Sequence, residues 1–468
     1  MKKFIPIIIF LTIFRSGFAQ SVPNGFDLVF NKKAKEVSVI TCEENGFCIV
    51  TEVESRKAHQ LELRHVDTTM HQVYDTLLNL SKDVKVSRVF HENGTLVVLC
   101  RRYQGNRITD QMRIYLYHTA SRTMEVRGIQ ALPMNAVLSD WHCYQGNLLF
   151  STKSELSDGV WYLPAGVSEP FPFSFTSENP GRVLSLDVDT MNGKAVIVFN
   201  SGVRTMYFET DFHGKSSFAN IIGEPATKAH WIPVSHSHSI LMLYYHDDET
   251  FYMHPVNMLN HRVIPSDSVF FADITPPKSL PDGVSGKRMI IVAPYSYVSF
   301  YPTYSGCTDD KIFCVTELYY SEYGNYFNGW YVEPRFDGYR YERADIHFFD
   351  TNGVFLTNVT FPYEEEMSLR TSVYKVLNVK NLPNSDILFY FLDKRELSTM
   401  LLDSECQLKN PVTAEELPLF RPAFTGRYKI EPGAIQSWYG NRFLLTAYRV
   451  KPASLRKAGL MARKLEYN

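Results

Sequence analysis

A short phrase that recurs along the chain constrains its fold more than any other feature. Each copy is a turn of Asn, Gly, Ser or Asp, followed by an apolar run of about five to eight residues. The copies lie roughly 45 to 55 residues apart, except for one gap of about twice that length. They begin at Glu44, Glu92, Gln145, Asn192, Ser237, Gly286, Asn384 and Gly440. Such even spacing indicates structural repeats that pack against their own copies.

The segments on either side of each phrase also repeat. A short β-branched run precedes it, as in VSVIT from Val37, and an aromatic run follows, as in RIYLYH from Arg113 and TMYFET from Thr205. Aromatic residues make up 14% of the chain, which favours strands. Runs of this kind, bounded by Gly, Asn, Asp and Ser, predict about three or four strands in each unit. No helical periodicity persists over four turns.

This iterated meander resembles a β-propeller. The resemblance implies an all-β ring of about seven or eight antiparallel blades over residues 20–450. The central strands are nearly unbroken apolar runs, as expected when neighbouring blades cover both faces. We expect Phe26–Phe30 and a last strand near Phe443–Val450 to close the ring. The alternative fold is a pair of β-sandwich-like domains.

The amino terminus has the pattern of a secretory signal peptide over residues 1–19. Lys2 and Lys3 precede an apolar core, Phe4–Phe14, and Ala19 lies at the expected cleavage site. This pattern predicts a secreted, extracellular protein. No later segment is long and apolar enough to predict a membrane span.

Charge and motifs argue against several classes of function. The formal net charge is −2, so nucleic acid is not an expected partner. No glycine-rich phosphate loop and no nucleophile elbow is present, so no cofactor and no catalytic residue are predicted. His236 and His238 form an H-x-H pair, with His246, Asp247, Asp248 and His254 nearby in sequence. They fall where other units have a turn, so we predict a solvated turn and no metal site.

The seven cysteines predict two short staples in an oxidising compartment. Cys42 and Cys48 flank a hairpin turn and are expected to face each other. Cys307 and Cys314 are expected to face each other across a four-residue loop from Asp309 to Ile312.

Three N-x-S/T sequons predict glycosylation of a secreted chain. They lie at Asn79, Asn93 and Asn358.

An aromatic insertion at about 321–343 interrupts the repeat and is the predicted binding surface. Aromatic rings stack on sugars or partner side chains, and arginines recognise carboxylate or sulfate. The predicted partner is therefore an extracellular protein or glycan. The alternative is that the rings cover a blade edge. The predicted binding residues are Tyr323, Tyr326, Phe327, Trp330, Tyr331, Arg335, Tyr339, Arg340 and Tyr341.

Residues 451–468 form a basic segment with Lys451, Arg456, Lys457, Arg463 and Lys464. They are predicted to be a solvated carboxy-terminal tail, with an arm that contacts an anionic surface as the alternative.

These features together predict a secreted, non-catalytic binding or structural protein, for example a coat or matrix component that presents loops from a rigid ring. The alternative is a secreted hydrolase or lyase with its active site in the central channel.

Overall fold

The structure is a computed structural model that describes residues 18–467 with internal gaps. The gaps are residues 20–24, 31–33, 55–58, 106, 130–131, 133–136, 154–157, 174–180, 212–216, 246–249, 265–267, 271–298, 309, 328–331, 364–374, 421–423, 426–427 and 453–455.

The first half of the chain begins with two amino-terminal strands and continues into four blades. The amino-terminal strands are β1 (Phe18–Ala19) and β2 (Gly25–Val29). Blade 1 contains β3 (Ala34–Thr41), β4 (Phe47–Glu54), β5 (His59–Val66) and β6 (Gln72–Leu80). Blade 2 contains β7 (Val84–Glu92), β8 (Thr95–Gln104), β9 (Arg107–His118) and β10 (Thr123–Ile129). Blade 3 contains β11 (Val137–Tyr144), β12 (Asn147–Lys153), β13 (Gly159–Leu163) and β14 (Phe171–Pro172). Blade 4 contains β15 (Arg182–Asp189), β16 (Lys194–Ser201), β17 (Arg204–Asp211) and β18 (Ser217–Gly223).

The second half adds four further blades. Blade 5 contains β19 (Lys228–Ser235), β20 (His238–Tyr245), β21 (Thr250–Asn257), β22 (Arg262–Val263) and β23 (Ser268–Phe270). Blade 6 contains β24 (Ser299–Cys307), β25 (Lys311–Phe327), β26 (Val332–Asp350) and β27 (Phe355–Pro362). Blade 7 contains β28 (Asn378–Asn381), β29 (Ile387–Asp393), β30 (Glu396–Leu402) and β31 (Leu408–Glu416). Blade 8 contains β32 (Phe424–Thr425), β33 (Tyr428–Ser437), β34 (Arg442–Lys451) and β35 (Arg456–Tyr467). Short 3-10 helices occupy Glu43–Asn45 and Pro418–Phe420.

The described strands form eight antiparallel sheets arranged as a propeller. The first strands of neighbouring blades contact one another, as in β3 with β7, β11 with β15 and β15 with β19. These first strands are therefore the inner strands of the ring. The predicted all-β propeller is confirmed, with eight blades. The alternative of two β-sandwich-like domains is wrong, because successive sheets pack side by side around one ring.

Burial explains why the recurring phrases are so apolar. The copy at Gly286 lies outside the described residues, and each of the other phrases coincides with the second strand of a blade, except that the copy at Gly440 coincides with β34, the third strand of blade 8. Of these strands, β4 and β16 are buried along nearly their whole length. Neighbouring blades cover both faces of such a strand, so both of its faces are apolar. Outer strands face solvent on one side, and β27 accordingly alternates between half-buried and exposed positions along most of its length.

The amino-terminal strand closes the ring by completing the last blade. β2 pairs with β35 in antiparallel register, with Phe26 opposite Ala462 and Leu28 opposite Leu460. The Asp27 carboxylate accepts a hydrogen bond from Arg449 at 2.6 Å and one from Arg463 at 2.7 Å. Closure by this segment agrees with the sequence-based expectation, although its partner is β35 and not the strand near residues 443–450.

The basic segment predicted as a solvated tail instead lies largely in β35, the fourth strand of blade 8. β35 pairs with β34 on one side and with β2 on the other. Leu460, Ala462 and Leu465 are buried in it, while Lys457, Arg463 and Lys464 lie on partly exposed positions. Arg463, for example, contributes to closure through Asp27.

We expect replacement of Asp27 by Ala to loosen this closure. The carboxylate holds two arginines but is 38% exposed, so solvent screens the pair and the loss is about 0.5 to 1 kcal/mol of unfolding free energy. Hydrogen exchange should rise in β2 and β35 more than in β16, which lies in another blade. Unchanged exchange in β2 would contradict the role of Asp27 in closing the ring. The matched control is Asp75→Ala, at an exposed position on β6.

Buried carboxylates also join successive blades. The Glu52 carboxylate of β4 accepts a hydrogen bond from the backbone N–H of Val86 in blade 2 at 3.4 Å. The Asp158 carboxylate, next to β13, accepts one from the N–H of Val183 in blade 4 at 2.8 Å. Each contact satisfies a backbone donor at the start of the next inner strand, so these acids are structural.

Glu317 of β25 is a third carboxylate of this kind, and three groups donate hydrogen bonds to it. Its fully buried carboxylate accepts hydrogen bonds from the N–H groups of Val376 at 2.8 Å and Leu377 at 2.6 Å, and from the Tyr363 hydroxyl at 3.0 Å. Burial raises the pKa of Glu317 to about 7, although these hydrogen bonds oppose the rise. The segment before β28 is thereby held to blade 6.

Candidate functional site

Polar side chains from three successive inner strands meet between blades 2, 3 and 4. They are Glu92 of β7, Asp140 and His142 of β11, and Ser185 and Asp187 of β15, and we call them the inner-strand cluster. Within β11, Trp141 and Cys143 are buried in the core while Asp140 and His142 alternate with them. These residues are far apart in sequence, and the packing of successive blades around the ring brings them together.

His142 connects all three inner strands. Its Nδ1 lies 3.0 Å from a Glu92 carboxylate oxygen, and its Nε2 lies 2.7 Å from the carbonyl oxygen of Leu186. The other Glu92 oxygen accepts a hydrogen bond from the backbone N–H of Cys143 at 2.7 Å. Because both partners of the ring are acceptors, both ring nitrogens donate, and the geometry favours the imidazolium.

Electrostatics agree with a charged imidazole. Burial lowers the pKa of His142, but the hydrogen bond to Glu92 and the negative charges of Glu92 and Asp187 outweigh burial, so the pKa is raised. The side chains of His142 and Glu92 are 23% and 27% exposed, so solvent reaches both.

Asp187 is the carboxyl of the cluster with the most altered acidity. Burial raises its pKa, with further increases from the charges of Asp140 and Glu92, while His142 and a hydrogen bond from the Ser185 hydroxyl oppose the rise. The neighbouring Asp140 carboxylate accepts a hydrogen bond from the Ser151 hydroxyl at 3.1 Å. Two nearby carboxyl groups in unequal environments are the arrangement used for general acid–base chemistry.

The sequence reasoning did not identify this cluster, and it predicted no catalytic residue. The signal that could have identified the cluster is the position of its residues within the repeat. Glu92, His142 and Asp187 all lie within a few residues of the end of an inner strand, just before or at the turn that opens the recurring phrase. Polar residues at the same phase of successive repeats meet in a ring.

The histidine pair predicted to be a solvated turn divides between two environments. His236 is exposed in the turn, whereas His238 donates from Nε2 to the carbonyl oxygen of Thr351 at 2.5 Å. His246, Asp247 and Asp248 lie outside the described residues. Among the residues that the structure describes, no group of three His, Cys, Asp or Glu side chains is placed to hold a metal ion.

The aromatic insertion is a continuation of the central hairpin of blade 6. β25 and β26 pair as far as Phe327 opposite Val332, with register shifts after Leu318 and after Glu322. Tyr319, Tyr339 and Tyr341 form ring contacts at 5.6 to 5.7 Å near the blade, and Tyr341 is buried. Farther out, Tyr323 and Phe336 touch at 5.7 Å.

Some of the predicted binding residues of this hairpin therefore pack in the core, and others are exposed. Tyr341 packs in the core between blades 6 and 7, and Tyr339 and Arg340 are half-buried. Tyr323 and Arg335 are exposed. Trp330 and Tyr331 lie outside the described residues, and the side chains of Tyr326 and Phe327 are not described. The hairpin projects from the face of the ring that carries the loops between second and third strands. Glu92 lies near the opposite face.

The cysteines of each predicted pair are diagonal neighbours in the ladder and are not directly opposite each other. Cys42 and Cys48 are buried with their Sγ atoms 3.5 Å apart, and both thiols are free. Cys307 lies opposite Ile312, and Cys314 lies opposite Ser305, so the second pair does not face across the ladder as predicted. The turn at Thr308–Lys311, in which the N–H of Thr308 donates to the carbonyl oxygen of Lys311 at 2.8 Å, sets this register.

The three sequons occupy two kinds of position. Asn79 and Asn358 are exposed on the outer strands of blades 1 and 6. Asn93 lies in a turn, where its Nδ2 donates to the carbonyl oxygen of Cys143 at 2.8 Å. Glycosylation remains a prediction at all three.

No described helix is long and apolar enough to cross a membrane. No protein-family model and no curated protein matches the chain.

Solved structures similar to this chain share its fold at low sequence identity. A prolyl endopeptidase is 12% identical, with 91% of this chain and 54% of that chain covered and a TM-score of 0.42. Prolyl oligopeptidase B from Galerina marginata is 7% identical, with 89% and 56% covered and a TM-score of 0.43. The β-propeller domain of the Trilobed protease from Pyrococcus furiosus is 10% identical, with 83% and 97% covered and a TM-score of 0.40. The chain thus spans little more than half the length of the first two.

These similarities correct the functional prediction. A rigid ring without sequence motifs suggested a non-catalytic binding or structural protein. Solved structures that share the ring include peptidases, so the architecture does not indicate a non-catalytic role, and that prediction is wrong. What this chain is similar to is a set of β-propellers, and the comparisons establish its fold alone.

Proposed function

We propose that this protein is a secreted hydrolase that uses the inner-strand cluster for general acid–base catalysis on an extracellular protein or glycan. The observation that carries the proposal is the meeting of Glu92, His142 and Asp187 from three successive inner strands, with the charge of Asp140 acting on Asp187. Active sites gather titratable groups whose environments alter their pKa values.

The two aspartates suit complementary roles. Because burial raises its pKa, Asp187 keeps its proton to a higher pH than an ordinary aspartate does, and it acts as the general acid. Asp140, whose carboxylate accepts a hydrogen bond from the Ser151 hydroxyl, acts as the general base. Asp140 removes a proton from water while the oxygen of that water attacks, and Asp187 gives its proton to the leaving group.

His142 contributes charge and order to the same site. Its imidazolium is fixed between Glu92 and the carbonyl oxygen of Leu186, so it holds β7, β11 and β15 in register. A positive charge at this position also stabilises negative charge that develops on the substrate. His142 is therefore expected to be needed for both the geometry and the rate.

Export is part of the proposal and is supported by the amino-terminal pattern. Two lysines, an apolar core and Ala19 at the cleavage position direct the chain out of the cell. Exposed sequon residues at Asn79 and Asn358 suit a chain that passes through the secretory pathway.

We expect Asp187→Asn to lower kcat/KM roughly 100-fold or more, because the variant has no proton to give to the leaving group. The purified chain is assayed at pH 5 to 7 on two panels, quenched fluorescent peptides and aryl glycosides with oligosaccharides. Hydrolysis in either panel identifies the substrate as protein or glycan.

The matched control for this experiment is Asp75→Asn, on the exposed outer strand of blade 1. It removes the same charge far from the cluster and should retain the wild-type rate. Failure of the wild-type chain to hydrolyse any member of either panel would refute the proposal. An Asp187→Asn variant that is folded and as active as wild type would refute it as well.

A further inference from the structure

We infer that Cys42 and Cys48 form a disulfide that fastens the turn on which the last blade docks, so that oxidation stabilises the closed ring. This inference is independent of the proposed hydrolase activity. It depends on the place of the two thiols in blade 1 and on the contacts that the intervening residues make with blade 8.

The two sulfurs are already in contact. Their Sγ atoms are 3.5 Å apart, and both side chains are fully buried in the core between blades 1 and 2. A disulfide bond is about 2.0 Å long, so small side-chain rotations bring the sulfurs to bonding distance. Cys48 lies opposite Ile40 in the ladder, and Cys42 follows two residues later, which makes the pair diagonal neighbours.

The turn between the two cysteines is the contact point for blade 8. The carbonyl oxygen of Gly46 accepts a hydrogen bond from the Trp438 indole at 2.9 Å. The Trp438 ring also packs edge-on against Phe47 at 5.8 Å. Trp438 follows β33 directly, so this contact joins the first blade to the last.

The strand that leads into the turn contacts blade 8 as well. Gln436 of β33 donates to the carbonyl oxygen of Val39 at 2.6 Å and accepts from the N–H of Thr41 at 3.2 Å. Residues 39–48 therefore carry most of the polar contact between the inner parts of blades 1 and 8. A covalent link across this segment restricts the part of the chain on which closure depends.

Only glycine fits at position 46 in this turn. Gly46 has φ of +112°, and a Cβ there would lie 2.0 Å from the carbonyl oxygen of Val66. The Asn45 carbonyl oxygen is held by the Nε2 of His65 at 2.6 Å. The turn is thus fixed from both sides, which keeps the two cysteines close together.

Burial makes the bond a lasting staple and not a reversible switch. Burial, together with the neighbouring Cys42, raises the pKa of the Cys48 thiol well above its ordinary value, so the folded dithiol reacts slowly. The bond therefore forms as the chain folds in an oxidising compartment. Each thiol loses a proton and the pair gives two electrons to a small-molecule disulfide such as oxidised glutathione, which is released as two thiols.

The first test is the mass of one peptide. The chain is refolded with reduced and oxidised glutathione, alkylated with iodoacetamide under denaturing conditions, and digested with trypsin. Residues 36–56 contain no internal Lys or Arg, so one peptide carries both cysteines. The inference predicts an unalkylated peptide about 2 Da lighter than its reduced form. Alkylation of both thiols, or a link from either one to Cys100, would overturn it.

The second test measures stability against a matched pair of variants. With seven residues in the closed loop, the disulfide should lower the unfolding equilibrium constant roughly 50-fold. The double variant C42A/C48A should lose this difference between oxidised and reduced protein. C307A/C314A is the control and should retain it, because those cysteines lie in blade 6 and their replacement leaves Cys42 and Cys48 in place. Equal stability of oxidised and reduced wild-type protein would contradict the inference, whether or not the chain hydrolyses any substrate.

Discussion

Replacing Glu209 by Ala is expected to lower the free energy of unfolding by about 3 to 5 kcal/mol, because it removes the acceptor of a buried charged network. The carboxylate of Glu209, in β17, is 1% exposed. It accepts hydrogen bonds from Lys194 at 2.6 Å, the Tyr207 hydroxyl at 2.8 Å and His261 Nδ1 at 3.1 Å. Without it, the fully buried Tyr207 hydroxyl and the Lys194 charge lose their shared partner.

The network joins two blades, so its loss should be felt beyond blade 4. His261 lies between β21 and β22 of blade 5, and its ring also packs against Phe218 at 5.3 Å. Burial raises the pKa of Glu209, but the three hydrogen bonds outweigh burial and lower it. The carboxylate is therefore charged in the folded protein, and its contribution is present above the ordinary pKa and lost in acid.

Urea denaturation of wild type and Glu209→Ala measures this effect. The matched control is Glu405→Ala, whose carboxylate is 76% exposed and lies 4.0 Å from Lys311, with an expected change within about 0.5 kcal/mol. Glu209→Gln keeps an acceptor for Tyr207 and should fall between the two. A change in Glu209→Ala no larger than that of the control would show that the network contributes little.

The second large effect is a steep loss of stability in acid, caused by histidines that are buried without charge. Burial lowers the pKa of both His230 and His347 to about 3. The pKa values of His65, His91 and His254 are lowered in the same way. Each of these side chains is neutral in the folded protein and regains its ordinary pKa of about 6.5 when the chain unfolds.

The sign follows from proton uptake. Between pH 6.5 and about 3, the unfolded chain binds more protons at these positions, so stability is fully present above pH 6.5 and falls as the pH is lowered. Each histidine contributes a slope of about 1.4 kcal/mol per pH unit, so His230 and His347 together contribute about 3 kcal/mol per unit near pH 5. His142, whose pKa is raised, acts in the opposite sense.

The variant His347→Gln removes the contribution of one histidine to the pH dependence of the unfolding free energy. His347 is fully buried, and its Nε2 lies 2.9 Å from the Thr316 hydroxyl, a contact that a glutamine amide can keep. Unfolding free energies measured from pH 7 to pH 4 should depend on pH less steeply by about 1.4 kcal/mol per unit in the variant. His236→Gln, at an exposed turn position, should leave the slope unchanged. An unchanged slope in His347→Gln would mean that His347 is already protonated in the fold.

The sequence predicted the architecture because propeller repeats leave a regular signal. An apolar run buried on both faces, such as β16, must recur at the spacing of one blade. Where the structure differs from the prediction, the pairing of strands explains the difference. The charged residues of β35 suggested a tail, but alternate positions such as Leu460 and Ala462 are buried between β34 and β2. The turn at Thr308–Lys311 places Cys307 opposite Ile312 and not opposite Cys314, which residue spacing alone does not reveal.

The candidate site could not be predicted in the same way. Glu92, His142 and Asp187 are separated by about one repeat each, and no local motif joins them. These three residues come close together only when the blades pack around the ring. The aromatic insertion attracted attention because its composition is unusual, yet half of its described aromatics pack against blade 6 or blade 7. Composition therefore identified a long hairpin, and topology was needed to find the cluster.

The pH dependence of kcat/KM for wild type and Asp187→Asn tests the central claim most directly. If Asp187 is the general acid, the wild-type rate falls as the pH rises through its raised pKa, and the variant loses that alkaline limb along with most of its rate. A variant that keeps both the wild-type rate and the same alkaline limb would show that the proton comes from elsewhere and that the inner-strand cluster is not the active site.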